Sequence, residues 1–280
     1  SYTHIHTHTH THTHTHTHTH THTTHTHKTH RSDLTFLVFA IFAFIKGIKD
    51  LRTPEKYRKE NLIRRRPVLS IAFAIANVYH FLGTFFNHAC CTIVRFSLSL
   101  SLSYNHTHQF SGCHIGHVAD AGGMYSILFF ISVYNAGRIT QLPEFYPNLD
   151  EAKRVKAMLA VHILGTVLFV PYADVYYGEL CKFRETVGVA CLATSAVLTY
   201  VYYFYRSEKL ARSRLQFQWA ISALMCLAGG VVFHAVDENR IWCWPESYLN
   251  GHAIWHVVCA MALFCIYREM RTEREVNRSK

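Results

Sequence analysis

The stretch VLSIAFAIANVYHFLGTFFNHAC, residues 68–90, decides the fold class of this chain. It contains no Asp, Glu, Lys or Arg, and it is long enough to cross a bilayer, which takes about 20 apolar residues in a helix. The stretch therefore predicts a transmembrane helix. Polar side chains such as Thr84 and His88 are costly within such a helix, so they indicate a functional site.

Six further apolar segments accompany this one along the 280-residue chain, at residues 34–49, 118–137, 157–173, 186–205, 215–234 and 251–267. Charged residues make up 16 % of the composition, against about 25 % in soluble globular proteins. Together these features predict an all-α fold, a seven-transmembrane helix bundle over residues 34–267. They argue against a soluble enzyme and against a small disulfide-stapled module.

The positive charges alternate between the predicted loops. The first, third and fifth loops and the tail at 268–280 hold eight, four, four and five Lys or Arg residues, whereas the second, fourth and sixth loops hold one, two and one. The positive-inside rule then predicts a lumenal N-terminus and a basic cytosolic tail. The net charge of +10 is thereby explained by topology, and we expect the lipid bilayer, not nucleic acid, as the partner of these charges.

Two low-complexity stretches do not resemble evolved protein sequence. Thr and His alternate through most of residues 3–22, as a repeated ACACAC would encode, and residues 97–102 read SLSLSL, as TCTCTC would encode. We interpret residues 1–33 as a disordered low-complexity tract that is largely translated microsatellite, and residues 92–112 as a lumenal insertion derived from an unspliced intron. Metal buffering by the histidines is the alternative interpretation of the tract.

Polar residues from three distant regions fall at one predicted depth. Thr84 and His88 lie near the end of the second span, Asp120 at the start of the third, and His252 and His256 at the start of the seventh. All of these ends are lumenal in the predicted topology. Three neutral imidazoles and a water form the open zinc site of hydrolytic enzymes, with Asp120 as a base and Thr84 as a donor to the substrate carbonyl or the oxyanion. The alternative is a set of polar contacts between helices.

The motifs around these residues resemble those of the alkaline ceramidase family, which belongs to the same seven-helix superfamily as the adiponectin receptors. GTFFNHA (83–89), ADAGGMY (119–125), the Asp237–Cys243 stretch and GHAIWH (251–256) carry the resemblance. It implies a zinc-dependent amide hydrolase of the endoplasmic reticulum or Golgi, which cleaves ceramide to a sphingoid base and a fatty acid by attack of a zinc-bound water. His88, His252 and His256 would bind Zn²⁺, Asp120 would assist the water, and Thr84 would stand for the family's Ser.

Three departures from the family pattern accompany the resemblance. The acidic calcium-binding segment that the family carries before its first span is replaced by the Thr/His tract, so we expect no intact calcium site and impaired activity. His88 and Asp120 are 32 residues apart (120 − 88), where the family has one short loop, and Thr84 adds a methyl group. Two other functions stay open: a ligand-responsive receptor of the same superfamily with a structural metal, or the product of a non-functional gene model.

Overall fold

The computed structural model describes residues 26–57, 61–100, 106–139, 150–175, 190–191, 194–199, 201–202, 214–239 and 251–273. These residues are almost all helical, and no strand occurs among them. The predicted all-α class is therefore confirmed.

The helices follow one another as α1 (Thr26–Arg52), a 3-10 turn (Glu55–Tyr57), α2 (Leu62–Arg65), α3 (Pro67–Leu100), α4 (His106–Ile139), α5 (Glu151–Val175), α6 (Arg214–Glu238) and α7 (Gly251–Thr272). The described residues between 190 and 202 are also helical. Six of the seven predicted spans lie inside these long helices. The remaining predicted span, residues 186–205, is described only in part, at 190–191, 194–199 and 201–202.

Three of the described helical stretches are long and apolar enough to cross a membrane: Pro67–Ala89 in α3, Gln216–Val236 in α6 and Gly251–Thr272 in α7. This length and composition indicate a membrane protein. The other long helices are less apolar because they carry charged or polar side chains, as α1 does at Asp33, Lys46 and Asp50.

Helix α1 begins within the predicted low-complexity tract, at Thr26, and Asp33 is completely buried. The predicted end of the tract at residue 33 therefore falls inside a helix, and the disorder of the tract before this helix stays a prediction. Residues 1–25 lie outside the described residues. Helices α3 and α4 extend to Leu100 and from His106, so they enter the predicted insertion at 92–112 from both sides, and its intronic origin stays a prediction.

An aromatic cluster joins four of these helices, α1, α3, α4 and α7, at the centre of the bundle. Phe73 of α3 stacks on Tyr267 of α7 with ring centroids 5.8 Å apart, and it lies 5.1 Å from Phe130 of α4. Phe39 of α1 meets both Phe73 and Tyr267 edge-on. Because lipid is as apolar as these side chains, such tight packing, and not water exclusion, holds helices together in a membrane.

Two glycines allow the backbones of α3 and α4 to touch. A Cβ atom on Gly83 would lie 2.4 Å from the carbonyl oxygen of Ala119, and one on Gly123 would lie 2.4 Å from the Cα of His80. No side chain fits at such distances, so only glycine permits this approach. The contact fixes how Thr84 and Asp120 face each other.

Charged side chains are buried at the opposite end of the bundle. Arg138 of α4 is 2 % exposed; it donates to both oxygens of Glu269 at 3.2 and 2.9 Å and pairs with Glu273 at 3.2 Å. Arg271 pairs with Asp50 of α1 at 2.6 Å. Buried charges are tolerable when paired in this way. Three residues at the beginning of the predicted tail 268–280 therefore belong to a buried ion-pair network, namely Glu269, Arg271 and Glu273. Residues 274–280 lie outside the described residues, and the basic cytosolic tail stays a prediction.

We predict that Gly83→Ala lowers the free energy of unfolding by about 1–3 kcal/mol, because the added methyl group forces two backbones apart. The measurement is the thermal midpoint of the detergent-solubilised protein, which should fall. Gly229→Ala is the matched control, since its Cβ would meet its nearest neighbour, Val258, at 3.7 Å. There, alanine should leave stability unchanged or raise it by about 1 kcal/mol, because it favours helix more than glycine does. Equal midpoints for the two variants would contradict the proposed backbone contact.

Candidate metal centre

Three histidines from two helices converge in the bundle. His88 comes from α3, whereas His252 and His256 lie one turn apart on α7, so both of their rings project from the same face. One nitrogen from each ring lies within 4.8 Å of the other two. The His252 and His256 Nε2 atoms are 2.9 Å apart, and the His88 ring centroid lies 5.5 Å from each of the other two centroids.

This spacing suits a bound cation. Zinc–nitrogen bonds are about 2.0–2.1 Å long, which puts tetrahedral ligand atoms about 3.3 Å apart. Small rotations of the rings would bring the three nitrogens to that separation. Imidazole is a ligand for zinc, copper, iron and nickel alike, so the cluster could hold a transition-metal ion and does not select among these metals.

A buried carboxylate adjoins the cluster on the side of α1. Asp33 Oδ2 lies 3.0 Å from His88 Nδ1, and Asp33 Oδ1 lies 3.8 Å from His256 Nδ1. Among the described residues, Oδ1 makes no hydrogen bond. A fully buried carboxylate beside neutral imidazoles is costly without a positive charge nearby, and a cation between the rings would supply that charge. The donor set and its surroundings therefore fit a divalent metal ion.

Asp120 of α4 is held against the same part of α3. Thr84 Oγ1 donates to Asp120 Oδ1 at 2.6 Å, and Asn87 Nδ2 donates to Oδ2 at 3.1 Å. His80 Nδ1 lies 3.7 Å from Oδ1. The Asp120 side chain retains about a quarter of its exposure, whereas Thr84 is fully buried. The carboxylate is therefore oriented through both oxygens and still accessible.

The structure thus brings together the histidines predicted as ligands and, separately, the predicted pair of Thr84 and Asp120. The Thr84 hydroxyl is buried and donates to Asp120, so in this structure it orients that carboxylate. Its predicted bond to a substrate carbonyl or oxyanion stays a prediction. Metal binding by the histidines and the catalytic role of Asp120 stay predictions.

Sequence reasoning missed Asp33, His80 and Asn87. Asp33 directly precedes the apolar run of the first span, so an acidic residue at the predicted lumenal level was a usable signal, but the boundary at residue 33 assigned it to the low-complexity tract. His80 lies two turns before His88 on the same helix, so its spacing was a usable signal for the same helix face. No sequence signal singled out Asn87.

Trp255 closes the side of the cluster that faces α6. Its ring lies 5.2 Å from His252 and 4.8 Å from His256, and it stacks on His234 of α6 at 4.8 Å. The imidazoles are therefore enclosed by aromatic surface on this side, which limits access of water.

No family model, curated protein or solved structure matches this chain. The resemblance to the alkaline ceramidases therefore rests on the short sequence motifs alone and stays a prediction.

We predict that His256→Gln removes about one equivalent of zinc from the purified protein, because glutamine replaces one of three imidazole ligands. His162→Gln is the matched control: His162 is equally buried, but it bonds to Ser126 on α4, away from the cluster. Metal analysis of both variants beside the parent protein measures the loss. The Thr/His tract is the same in all three proteins, so its contribution cancels, and equal zinc content in all three would contradict the site.

Proposed function

We propose that this protein is a seven-helix membrane hydrolase that holds Zn²⁺ through His88, His252 and His256 and cleaves the amide bond of ceramide. The products are a sphingoid base and a fatty acid. The convergence of three imidazoles from two distant helices, beside a carboxylate that is oriented but accessible, carries the proposal. A metal-dependent amide hydrolase needs at least these two elements, a set of metal ligands and a general base.

The proposed topology puts this site near the lumenal side of the endoplasmic reticulum or Golgi membrane, with the C-terminus in the cytosol. His88 lies near the end of the apolar part of α3 and His252 at the beginning of α7, so antiparallel spans would carry them to one level. Large apolar side chains are exposed along α5 and α6, among them Leu164, Leu168, Leu224 and Val232. These suit a surface that contacts lipid.

A bound zinc ion supplies a more acidic water and a polarised amide carbonyl. Asp120 then acts as the general base that accepts the proton lost by the attacking water. The same carboxyl group returns that proton to the departing amine nitrogen, so that the acyl carbon gains OH and the nitrogen gains H. Its partial exposure gives it access to both the water and the amine.

Thr84 serves as a positioning residue in this scheme. Its hydroxyl holds Asp120 Oδ1 at 2.6 Å, while Asn87 holds the other oxygen. The two donors keep the carboxylate in one orientation, which general-base catalysis requires because the base must reach the proton that it removes. A serine would make the same bond, so the methyl group of Thr84 does not exclude the function.

Ceramide suits this location because its two long chains belong in the membrane and its amide lies at the interface. A hydrolase within the bilayer can receive such a substrate laterally, without extracting it into water. The apolar helical body around a small polar cluster agrees with a ligand that is apolar except for one reacting group.

We predict that purified protein releases sphingoid base from ceramide in mixed micelles, and that Asp120→Asn lowers kcat about 10²–10⁴-fold, the usual contribution of a general base. Release of the labelled sphingoid base measures the rate. A protein that holds a full equivalent of zinc and shows no release would contradict the hydrolase and favour a receptor with a structural metal.

Thr84→Val should lower kcat in the same assay and leave zinc content unchanged, because the valine cannot hold Asp120. Thr272→Val is the matched control, since its hydroxyl bonds only to carbonyl oxygens of its own helix, at Arg268 and Glu269. Thr272 ends α7, about 30 Å along the helix from His252. A Thr84→Val protein as active as this control would exclude the positioning role.

A further inference from the structure

We propose that Asp33 is the positioning residue of the metal centre: one buried carboxylate from α1 holds the outer nitrogen of His88, faces that of His256, and balances the charge of the cation between them. This inference rests on the metal-binding part of the proposed function and is independent of the substrate. It assigns a role in the site to α1, the helix that contributes none of the three ligands.

The two oxygens of Asp33 face two different ligands. Oδ2 lies within hydrogen-bond distance of His88 Nδ1, at 3.0 Å, and Oδ1 lies 3.8 Å from His256 Nδ1. With Nδ1 directed to Asp33, each ring keeps Nε2 for the cation, and His256 Nε2 already faces His252 Nε2 at 2.9 Å. A carboxylate on the outer nitrogen fixes the tautomer and orientation of a ligating histidine and makes it a stronger ligand.

The charges of the surrounding groups support the same role. Three neutral imidazoles leave the +2 charge of a divalent ion uncompensated, and burial of such a charge is costly. Asp33 and Asp120 each contribute −1, and Asp33 is the one with no exposure. Conversely, Asp33 Oδ1 has no hydrogen-bond donor among the described residues. The carboxylate and the cation therefore compensate each other.

Aromatic packing holds Asp33 in place. Phe36, one turn further along α1, lies edge-on to His256 with centroids 6.0 Å apart and to His80 at 4.7 Å. The ring is 1 % exposed, so it locks this part of α1 between α3 and α7. The position of the carboxylate is consequently set by the packed helix and not by a flexible loop.

The test compares the zinc affinity of the full-length protein with that of Asp33→Asn, by competition with a chromogenic chelator. We expect about 10–100-fold weaker binding, the usual effect of losing a residue that supports a metal ligand. Asp50→Asn is the matched control, because Asp50 is also a buried aspartate of α1 but pairs with Arg271. Its zinc affinity should equal that of the parent protein even if its stability is lower.

Thermal midpoints with and without zinc separate a positioning role from a structural one. Zinc should raise the midpoint of the parent protein, because it binds the folded state, and this rise should be much smaller for Asp33→Asn. The metal-free variant should be at least as stable as the metal-free parent, since it lacks an uncompensated buried charge. The histidines of the tract at 1–25 are shared by both proteins, so they do not produce this difference.

The inference would be overturned if Asp33→Asn bound zinc as tightly as the parent protein. It would also be overturned if the variant failed to fold without metal. Both results would indicate a purely structural aspartate. Absence of zinc binding by the parent protein would instead overturn the proposed metal centre itself. Zinc binding that depends on Asp33, in a protein that does not cleave ceramide, would uphold the inference and reject the hydrolase.

Discussion

The direct contact between the backbones of α3 and α4 is the constraint on which the site depends. Gly83 and Gly123 let the helices approach until main-chain atoms touch. At this separation Thr84 and Asn87 reach Asp120 with ordinary hydrogen bonds, whereas side chains at either glycine would move Asp120 out of their reach. The same helix α3 continues by one turn to His88. A packing feature without any chemistry of its own therefore sets the geometry of the polar residues.

Charged side chains are buried at both ends of the bundle, and at each end they need an opposite charge nearby. At one end, Arg138, Arg271 and Arg64 form ion pairs with Glu269, Glu273 and Asp50. At the other end, the described neighbours of Asp33 and Asp120 include histidines but no Lys or Arg. There, the balancing positive charge would come from a protonated histidine or from a bound cation. This contrast is the strongest physical reason to interpret the histidine cluster as a metal centre.

The sequence predicted the helical class and the residues that meet, because span length and loop charge fix the depth of each residue. Depth identified His88, His252, His256, Thr84 and Asp120 as neighbours. It did not reveal which face of a helix meets which partner, so the bond from Thr84 to Asp120 was not foreseen. Asp33 was missed because it was assigned to the low-complexity tract that we bounded at residue 33. The ion pairs of Glu269 were missed because the charged residues after the last span were interpreted only as a signal of membrane topology.

The placement of two ligands on α7 and one on α3 has a mechanical consequence. The main neighbours of α3 are α1 and α4, whereas those of α7 are α1 and α6, so a shared ion would cross-link helices from different halves of the bundle. The ligands are 164 residues apart in the chain (252 − 88). Because such an ion binds the folded state and not the unfolded chain, it would stabilise the contact between these helices by its binding free energy. Loss of the ion would then loosen the contact between the two halves of the bundle.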